Sequence, residues 1–594
     1  MFRKTMQLPL IPALSIIAVI SFGQKPAVST KESKEWVARS NNYTKLLIDI
    51  DEKYSPEFGS DEGIAFYDTL VAVPTLANLM AQRKDREKVL SVLRSAKQKE
   101  SDLKVRQDLD ILVSKTELNF RIEDFDLNRK VSFFNPTNTV YGGIKTLLDD
   151  QTPVDRRKAA VSRLRKYAGL QTGYVPITTI LKERTISQMN KPGIIYPSRQ
   201  NMEVILSRNA NMVSGIQELF IKYKIDGWEE PYAAMKKELE EYDKWITDNL
   251  VPKGRTDFRL PPEEYKLNLE TYGIDIPPAE IAKMAHAAFT SIQNQMKPLA
   301  EQLAKKYNLP SSDYRDVIRF LKKDQIIGDS ILPLYESHLA VIEDIIRKQQ
   351  LVTLPNRPAI IKIATAAETA QQPAPHMDPP PFLNNTGQRG VFVLPLNMPP
   401  AAGEKLDKYD DFTFDAASWT IIAHEVRPGH EMQFDKMVEE GVSQARALYA
   451  FNSTNVEGWG LYSEYITLPF MPVDGQLISL DYRLLRAARA FLDPELQAGM
   501  ISQSQAMDIL MKDVVASHAF AKQEVERYTL RAPGQANSYF YGFTKMISLR
   551  KDTELALGTT FNQLKFHDFV LSQGILPPAL IKQAVKEEFV TKEK

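Results

Sequence analysis

Apolar residues recur at helical spacing along most of this chain, and a single run reads as a strand. Such a period points to long helices packed on one another. The stretch from Arg83 to Val113 is representative, with Val89, Leu90, Val92, Leu93, Leu103, Val105, Leu109, Leu112 and Val113 in phase. Breaks are expected near Phe133–Asn138, near Lys191-Pro192-Gly193 and near Val251-Pro252-Lys253-Gly254, where Pro, Gly and Asn cluster. Leu260-Pro261-Pro262-Glu263-Glu264 and Ile276-Pro277-Pro278-Ala279-Glu280 then place Pro ahead of an acidic residue, a helix-start pattern. A soft boundary near residue 255 divides a helical subdomain over 24–254 from a second one over 255–594.

Between them lies a stretch of different character. Gln371-Gln372-Pro373-Ala374-Pro375-His376 to Pro381 is Pro-rich and reads as an extended loop. Gly390-Val391-Phe392-Val393-Leu394 follows, β-branched and aromatic between turn residues, and reads as a strand. Helical periodicity returns at Ala416 and persists. The expected class is mainly α, a large multi-helix fold with a small β element.

The chain has 594 residues, ample for a sizeable core. Lysine plus arginine equals aspartate plus glutamate, 75 of each. The weak overall field gives no reason to expect nucleic acid as a partner. There is no cysteine, so thiolate catalysis, disulfides and Cys-based metal sites are excluded. Any metal must be held by His, Asp or Glu. At the amino terminus, Arg3 and Lys4 precede the apolar run Leu8 to Phe22, which ends in Ser21-Phe22-Gly23-Gln24. This has the form of a signal peptide over 1–23. The run is shorter than the roughly 20 residues a spanning helix needs. An exported protein is expected, periplasmic or extracellular, with no stable membrane insertion after cleavage and no cysteine to carry a lipid anchor there.

Two of the seven histidines fall in one segment, His424-Glu425-Val426-Arg427-Pro428-Gly429-His430. Trp419, Ile421 and Ile422 precede it and place it on a buried helix. In the familiar His-Glu-x-x-His helix the ligands are four apart and share a face. Here they are six apart. In an unbroken helix that puts His430 roughly 120° round and about 9 Å further along. Pro428 removes a helical N–H and crowds the His424 carbonyl, and Gly429 permits turn dihedrals. The helix is therefore expected to bulge or break before His430. Glu431, back on the His424 face, is the less favoured second ligand.

A third ligand is expected from Asn455-Val456-Glu457-Gly458-Trp459-Gly460-Leu461-Tyr462-Ser463-Glu464. Glu457 is the candidate. Glu464, two turns on, suits an outer-layer or substrate-facing role. His424, His430 and Glu457 would hold one zinc ion with an open position for water, other divalent metals also fitting such a set. Glu425 would be the general base. The bland alternative is a pair of buried, hydrogen-bonded histidines beside a helix break.

These residues resemble the bacterial domain-of-unknown-function family 885. Its pattern is His-Glu-x-x-Pro-Gly-His, then Glu-Gly-Trp-x-Leu-Tyr-x-Glu, then Arg-Tyr-x-x-x-Pro-Gly-Gln-Ala-x-x-Tyr. The chain has His424 to His430, Glu457 to Glu464, and Arg527-Tyr528 to Tyr539 with one extra residue before Pro533. The resemblance is clearest over residues 255–594. It implies a helical, zinc-peptidase-like fold related to the gluzincins, with His424, His430 and Glu457 as ligands. Two departures bear on substrate handling and on activity itself: Glu431 stands where the family usually has His, and Gln497 where many members have another.

The third block offers Arg527, Tyr528 and Tyr539 as candidate oxyanion donors, beside the plainer reading that Pro533-Gly534 is only a turn and the tyrosines pack a core. Gln535 is a candidate for holding a substrate amide. His376 and the nearby strand are expected to line the cleft, since extended substrates pair along strand edges. His376 has a plainer reading as a solvated loop residue. Arg486 and Arg489 could recognise a substrate carboxylate, although an ion pair is the simpler role. His286, His338, His518 and His567 read as ordinary helix histidines. Together these residues predict an exported zinc-dependent hydrolase cleaving a peptide or small amide. A hydrolase of non-peptide amides or esters, and a non-catalytic binding protein on the same fold, are the competing expectations.

Overall fold

Asp102 illustrates how the helix boundaries are set. Its carboxylate accepts from the Lys104 and Val105 amides at 2.9 and 3.3 Å, satisfying donors that a helix start leaves unpaired. It separates helix Leu76–Lys99 from helix Leu103–Arg129. The apolar period from Arg83 to Val113 thus belongs to two helices, whose Leu90, Leu93, Leu109 and Leu112 share one core. The computed structural model describes residues 31–593 apart from 190, 399–404 and 406. The expected signal peptide lies outside the described residues. No described helix is long and apolar enough to cross a membrane.

The fold is mainly α-helical with a small sheet, as the periodicity implies. The turn chemistry falls where the sequence places it. Asn135 caps helix Pro136–Lys145 with Pro at its first position. Pro262 and Pro278 open the helices Pro262–Thr271 and Pro278–Lys306. One hydrophobic core gathers residues between Val71 and Leu250 together with Ala367 and Ala370. A larger one takes Ile111 and residues from Tyr265 to Val590. At its centre helix Val473–Gln497 is buried over almost its whole length and packs on helix Pro278–Lys306.

The sheet packs into the larger core through Ile361, Phe392 and Leu394, while the helix Ala366–Gln371 between its strands carries Ala367 and Ala370 into the other. Strands β1 (Ile360–Ile363), β2 (His376–Asp378) and β3 (Val391–Leu394) lie in the order β1-β3-β2. β1 pairs parallel to β3, with Ile360 opposite Val391. β2 pairs antiparallel, with His376 opposite Val393. The expected strand is β3, but it is central, with both edges paired, and cannot present an edge to a substrate. His376, expected in a loop, belongs to the edge strand β2.

Candidate metal centre

The helix carrying His424 ends as the spacing argument requires. It runs from Asp415 to Glu425, and a second helix opens at His430 and runs to Glu440. Between them the chain turns through Val426 to Gly429, with the Arg427–Pro428 bond cis. Gly429 is needed for space rather than for a positive φ. Its φ is −78°, and a Cβ there would sit 1.8 Å from the His424 carbonyl oxygen. Buried Arg427 anchors the turn, donating to Glu431, Glu343 and the Arg357 carbonyl. From the facing helix, Trp459 donates to the Pro428 carbonyl at 2.8 Å and Ser463 at 3.2 Å.

That facing helix, Ser453–Thr467, carries the third candidate ligand. Glu457 Oε2 lies 3.4 Å from His424 Nε2 and 3.3 Å from His430 Nε2. Bonds of about 2.0–2.1 Å at a tetrahedral angle put ligand atoms roughly 3.3 Å apart. The two imidazoles meet edge to face, centroids 4.7 Å apart, and the three donor atoms lie within 4.8 Å of one another. Glu457 Oε2 is buried and has no hydrogen-bond partner in the protein, an expensive condition for a carboxylate oxygen unless a cation satisfies it. The set therefore fits a small divalent ion of zinc's type.

Glu464 holds the first ligand from behind. His424 Nδ1 donates to Glu464 Oε1 at 2.8 Å, which leaves the Nε2 lone pair for a cation. The imidazole spans the two turns between Glu457 and Glu464 by lying over Gly460, where a Cβ would approach its Cε1 to 2.6 Å. Glu464 is in turn 3.3 Å from Arg486. Burial alone would strip His424 of a proton, yet Glu457 and Glu464, with Glu425, raise its pKa to about 9. Glu457 itself, despite burial, is held well below the ordinary carboxylate range by the two histidines. The cluster attracts positive charge, as a proton or as a metal ion.

Glu425 lies where two cavities meet. An open cleft of about 780 Å³ includes Glu425, His430, Glu457, Gln535, Tyr539 and Arg527 in its lining. A much smaller recess of about 40 Å³ is lined by His424, Glu425, Tyr539 and three arginines, Arg486, Arg489 and Arg527. Tyr539 stacks on His424 at 6.2 Å and accepts from Arg527 Nη1 at 3.2 Å. Burial, reinforced by Glu457, raises its pKa against the pull of Arg527 and Arg489. The phenol therefore stays protonated and can donate.

A family model described as "Bacterial protein of unknown function (DUF885)" matches residues 56–585. The chain belongs to the DUF885 family. A search of curated proteins returns no match. Two solved structures resemble it along nearly their whole length. One is a candidate lipoprotein of unknown function from Shewanella oneidensis, 18% identical, TM-score 0.68, covering 93% of this chain and 100% of that one. The other is a candidate lipoprotein from Colwellia psychrerythraea, 15% identical, TM-score 0.69, covering 94% and 99%. These likenesses concern the fold. Neither they nor the DUF885 description names an activity or connects the chain to the gluzincins.

Of the residues singled out in this DUF885 chain, most converge. Gln535 reaches Glu457 Oε1 at 3.3 Å and Ser453 Oγ at 3.1 Å. His376 lines the cleft from β2, its Nδ1 2.9 Å from the Ala374 carbonyl. Two placements differ from expectation. Tyr528 lines neither cavity; it is fully buried and donates to Glu524 at 2.6 Å, so its hydroxyl is not available to an oxyanion. Glu464 is likewise buried behind His424 and out of reach of a substrate, which leaves the outer-layer role. The two departures from the family pattern are both engaged elsewhere. Glu431 takes Arg427 at 2.9 and 3.2 Å, and burial pushes its pKa up to about 7. Gln497 ties Leu260 N to the Tyr528 carbonyl, at 2.8 Å each. Sequence reasoning missed Phe58, Glu62 and Phe382, which wall the cleft from far along the chain. No local signal marks them.

Proposed function

We propose that this chain is an exported metal-dependent hydrolase of peptide bonds, with His424, His430 and Glu457 as the ligands of a single zinc ion. The carrying observation is the unpartnered Glu457 Oε2, equidistant within 0.1 Å from two histidine nitrogens at the floor of a cleft. A divalent cation held there supplies Lewis-acid polarisation of a carbonyl and lowers the pKa of a water. Glu425, at the junction of cleft and recess, takes a proton from the attacking water as its oxygen bonds to the carbonyl carbon. It returns that proton to the amine as the C–N bond breaks. Tyr539, kept protonated by burial and oriented by Arg527, donates to the oxygen that gains charge. Gln535 and the β2 edge at His376 hold the backbone of the bound chain. The amino-terminal Arg3-Lys4 and following apolar run support export, and the two structural neighbours are described as candidate lipoproteins.

The reading is tested by metal analysis and turnover together. Purified protein should contain one equivalent of zinc, and His424→Ala should lose it. Glu425→Gln should keep the metal and lose at least about 100-fold in turnover on a peptide library. Wild type without stoichiometric metal after zinc loading, or Glu425→Gln cleaving at the wild-type rate, would sink the proposal.

A further inference from the structure

The two cavities on either side of Glu425 differ in kind. The cleft is open and long enough for several residues of a chain. The recess holds about 40 Å³, roughly three water-sized sites. A polypeptide cannot continue through it, but a carboxylate fits. Its walls combine apolar Phe412, Ile421 and Phe520 with the guanidinium groups of Arg486, Arg489 and Arg527. Low-dielectric walls of this kind strengthen a charge pair placed between them.

The three arginines are not equally engaged. Arg489 is bidentate to Glu524 at 2.6 and 2.8 Å. Arg486 faces Glu464 at 3.3 Å and donates to the Tyr482 carbonyl. Arg527 shares Glu524 from 3.7 Å and donates to the Tyr539 hydroxyl at 3.2 Å. The adjacent buried Asp493 is taken by Tyr265 and by the Gly534 amide. Glu425 also lines the recess but lies in no ion pair with these cations, and Arg527, which lines both cavities, has its nearest described carboxylate, Glu524, at 3.7 Å.

We infer that Arg527 receives the free C-terminal carboxylate of the substrate in this recess, so that the enzyme removes single small residues from the carboxyl end of a peptide. The inference rests on the hydrolase reading above and deepens it. Chain direction follows: the acyl side occupies the open cleft, the scissile carbonyl lies by Glu425 and Tyr539, and the departing residue sits against Arg527. Charge-assisted pairing of a guanidinium with a carboxylate is shared between Arg527 and the terminal oxygens.

Benzoyl-glycyl-alanine and its C-terminal amide separate the possibilities. Zinc-loaded wild type should cleave the acid with kcat/KM at least about 30-fold above the amide, a ratio within reach of one charge-assisted bond. Calorimetry on Glu425→Gln protein should show the acid binding and the amide not. Arg527→Gln should erase that preference, with Arg527→Lys restoring part of it. Equal cleavage of acid and amide, or internal cleavage of C-terminally blocked peptides, would overturn the carboxylate site and leave the hydrolase standing. Selective binding of the acid by protein that cleaves neither would support the site and overturn the hydrolase. Neither binding preference nor cleavage would overturn both. The wild-type comparison needs no variant, so misfolding of Arg527→Gln cannot rescue the inference.

Discussion

Glu464 acts on the proposed metal centre through His424. By accepting from His424 Nδ1 it fixes the tautomer and ring plane that aim Nε2 at Glu457. Partners of this kind are typically worth 10–100-fold in metal affinity. Glu464→Gln is expected to weaken zinc by about that factor in a chelator competition, with helix content unchanged. His567 makes a different demand. It is buried between the Leu351 carbonyl and the Tyr462 hydroxyl, and burial lowers its pKa to about 4. The unfolded chain takes up this proton near pH 6.5, the folded chain only near 4, so stability rises with pH across that window. Between pH 7 and pH 5 this group alone should withdraw about 2 kcal/mol. Thermal unfolding should show a weaker acid dependence in His567→Gln than in wild type, and identical slopes would refute the assignment.

At the scale of the element, the decisive object is the break between the two histidine-bearing helices. A continuous helix would carry His430 away from His424 and Glu457; the turn at Val426–Gly429 brings it back to them. Gly429 is the position with no room to spare, since a Cβ would meet the His424 carbonyl at 1.8 Å. Backbone atoms cannot yield as a flexible side chain can. Gly429→Ala is expected to cost on the order of 1–3 kcal/mol or more from overpacking and to lower zinc stoichiometry. Trp459→Phe, which removes one hydrogen bond to Pro428, should cost about 1 kcal/mol and keep the metal. Metal analysis beside melting curves distinguishes the two, and normal metal content in Gly429→Ala would show that the turn tolerates displacement. The break was readable in advance because proline and glycine act locally. The reason for glycine was not, because a close approach between backbone segments leaves no mark on composition.

At the scale of the molecule, the amino-terminal helices are part of the site's support. Asp108, fully buried, accepts from Arg446, Ser443 and Ser40. Arg446 also reaches Gln107 and Gln573. Arg208 pairs with Glu526, next to Arg527, at 2.6 Å. Asp108→Ala would leave the Arg446 guanidinium buried without its carboxylate, a loss of about 3–5 kcal/mol, readable as a shift in denaturant midpoint. A fragment spanning 255–594 would expose the same cation and the core around Ala445. It is expected to unfold without cooperativity, and a sharp calorimetric transition from that fragment would show the halves to be independent.

What the sequence by itself determined is what depends on neighbours in the chain. Helical period, proline-opened helices and the broken His424 segment all follow from residues a few positions apart. Packing decided the rest. It set the 3.3–3.4 Å convergence of three ligands from separate helices and turned Tyr528 and Glu464 inward. It placed the expected strand at the centre of the sheet. It also brought Glu62 and Phe382 to one cleft, and three arginines with Glu425 to one recess. Contacts between distant segments arise only when the chain closes on itself, and no local pattern encodes how closely each buried cation will meet a carboxylate.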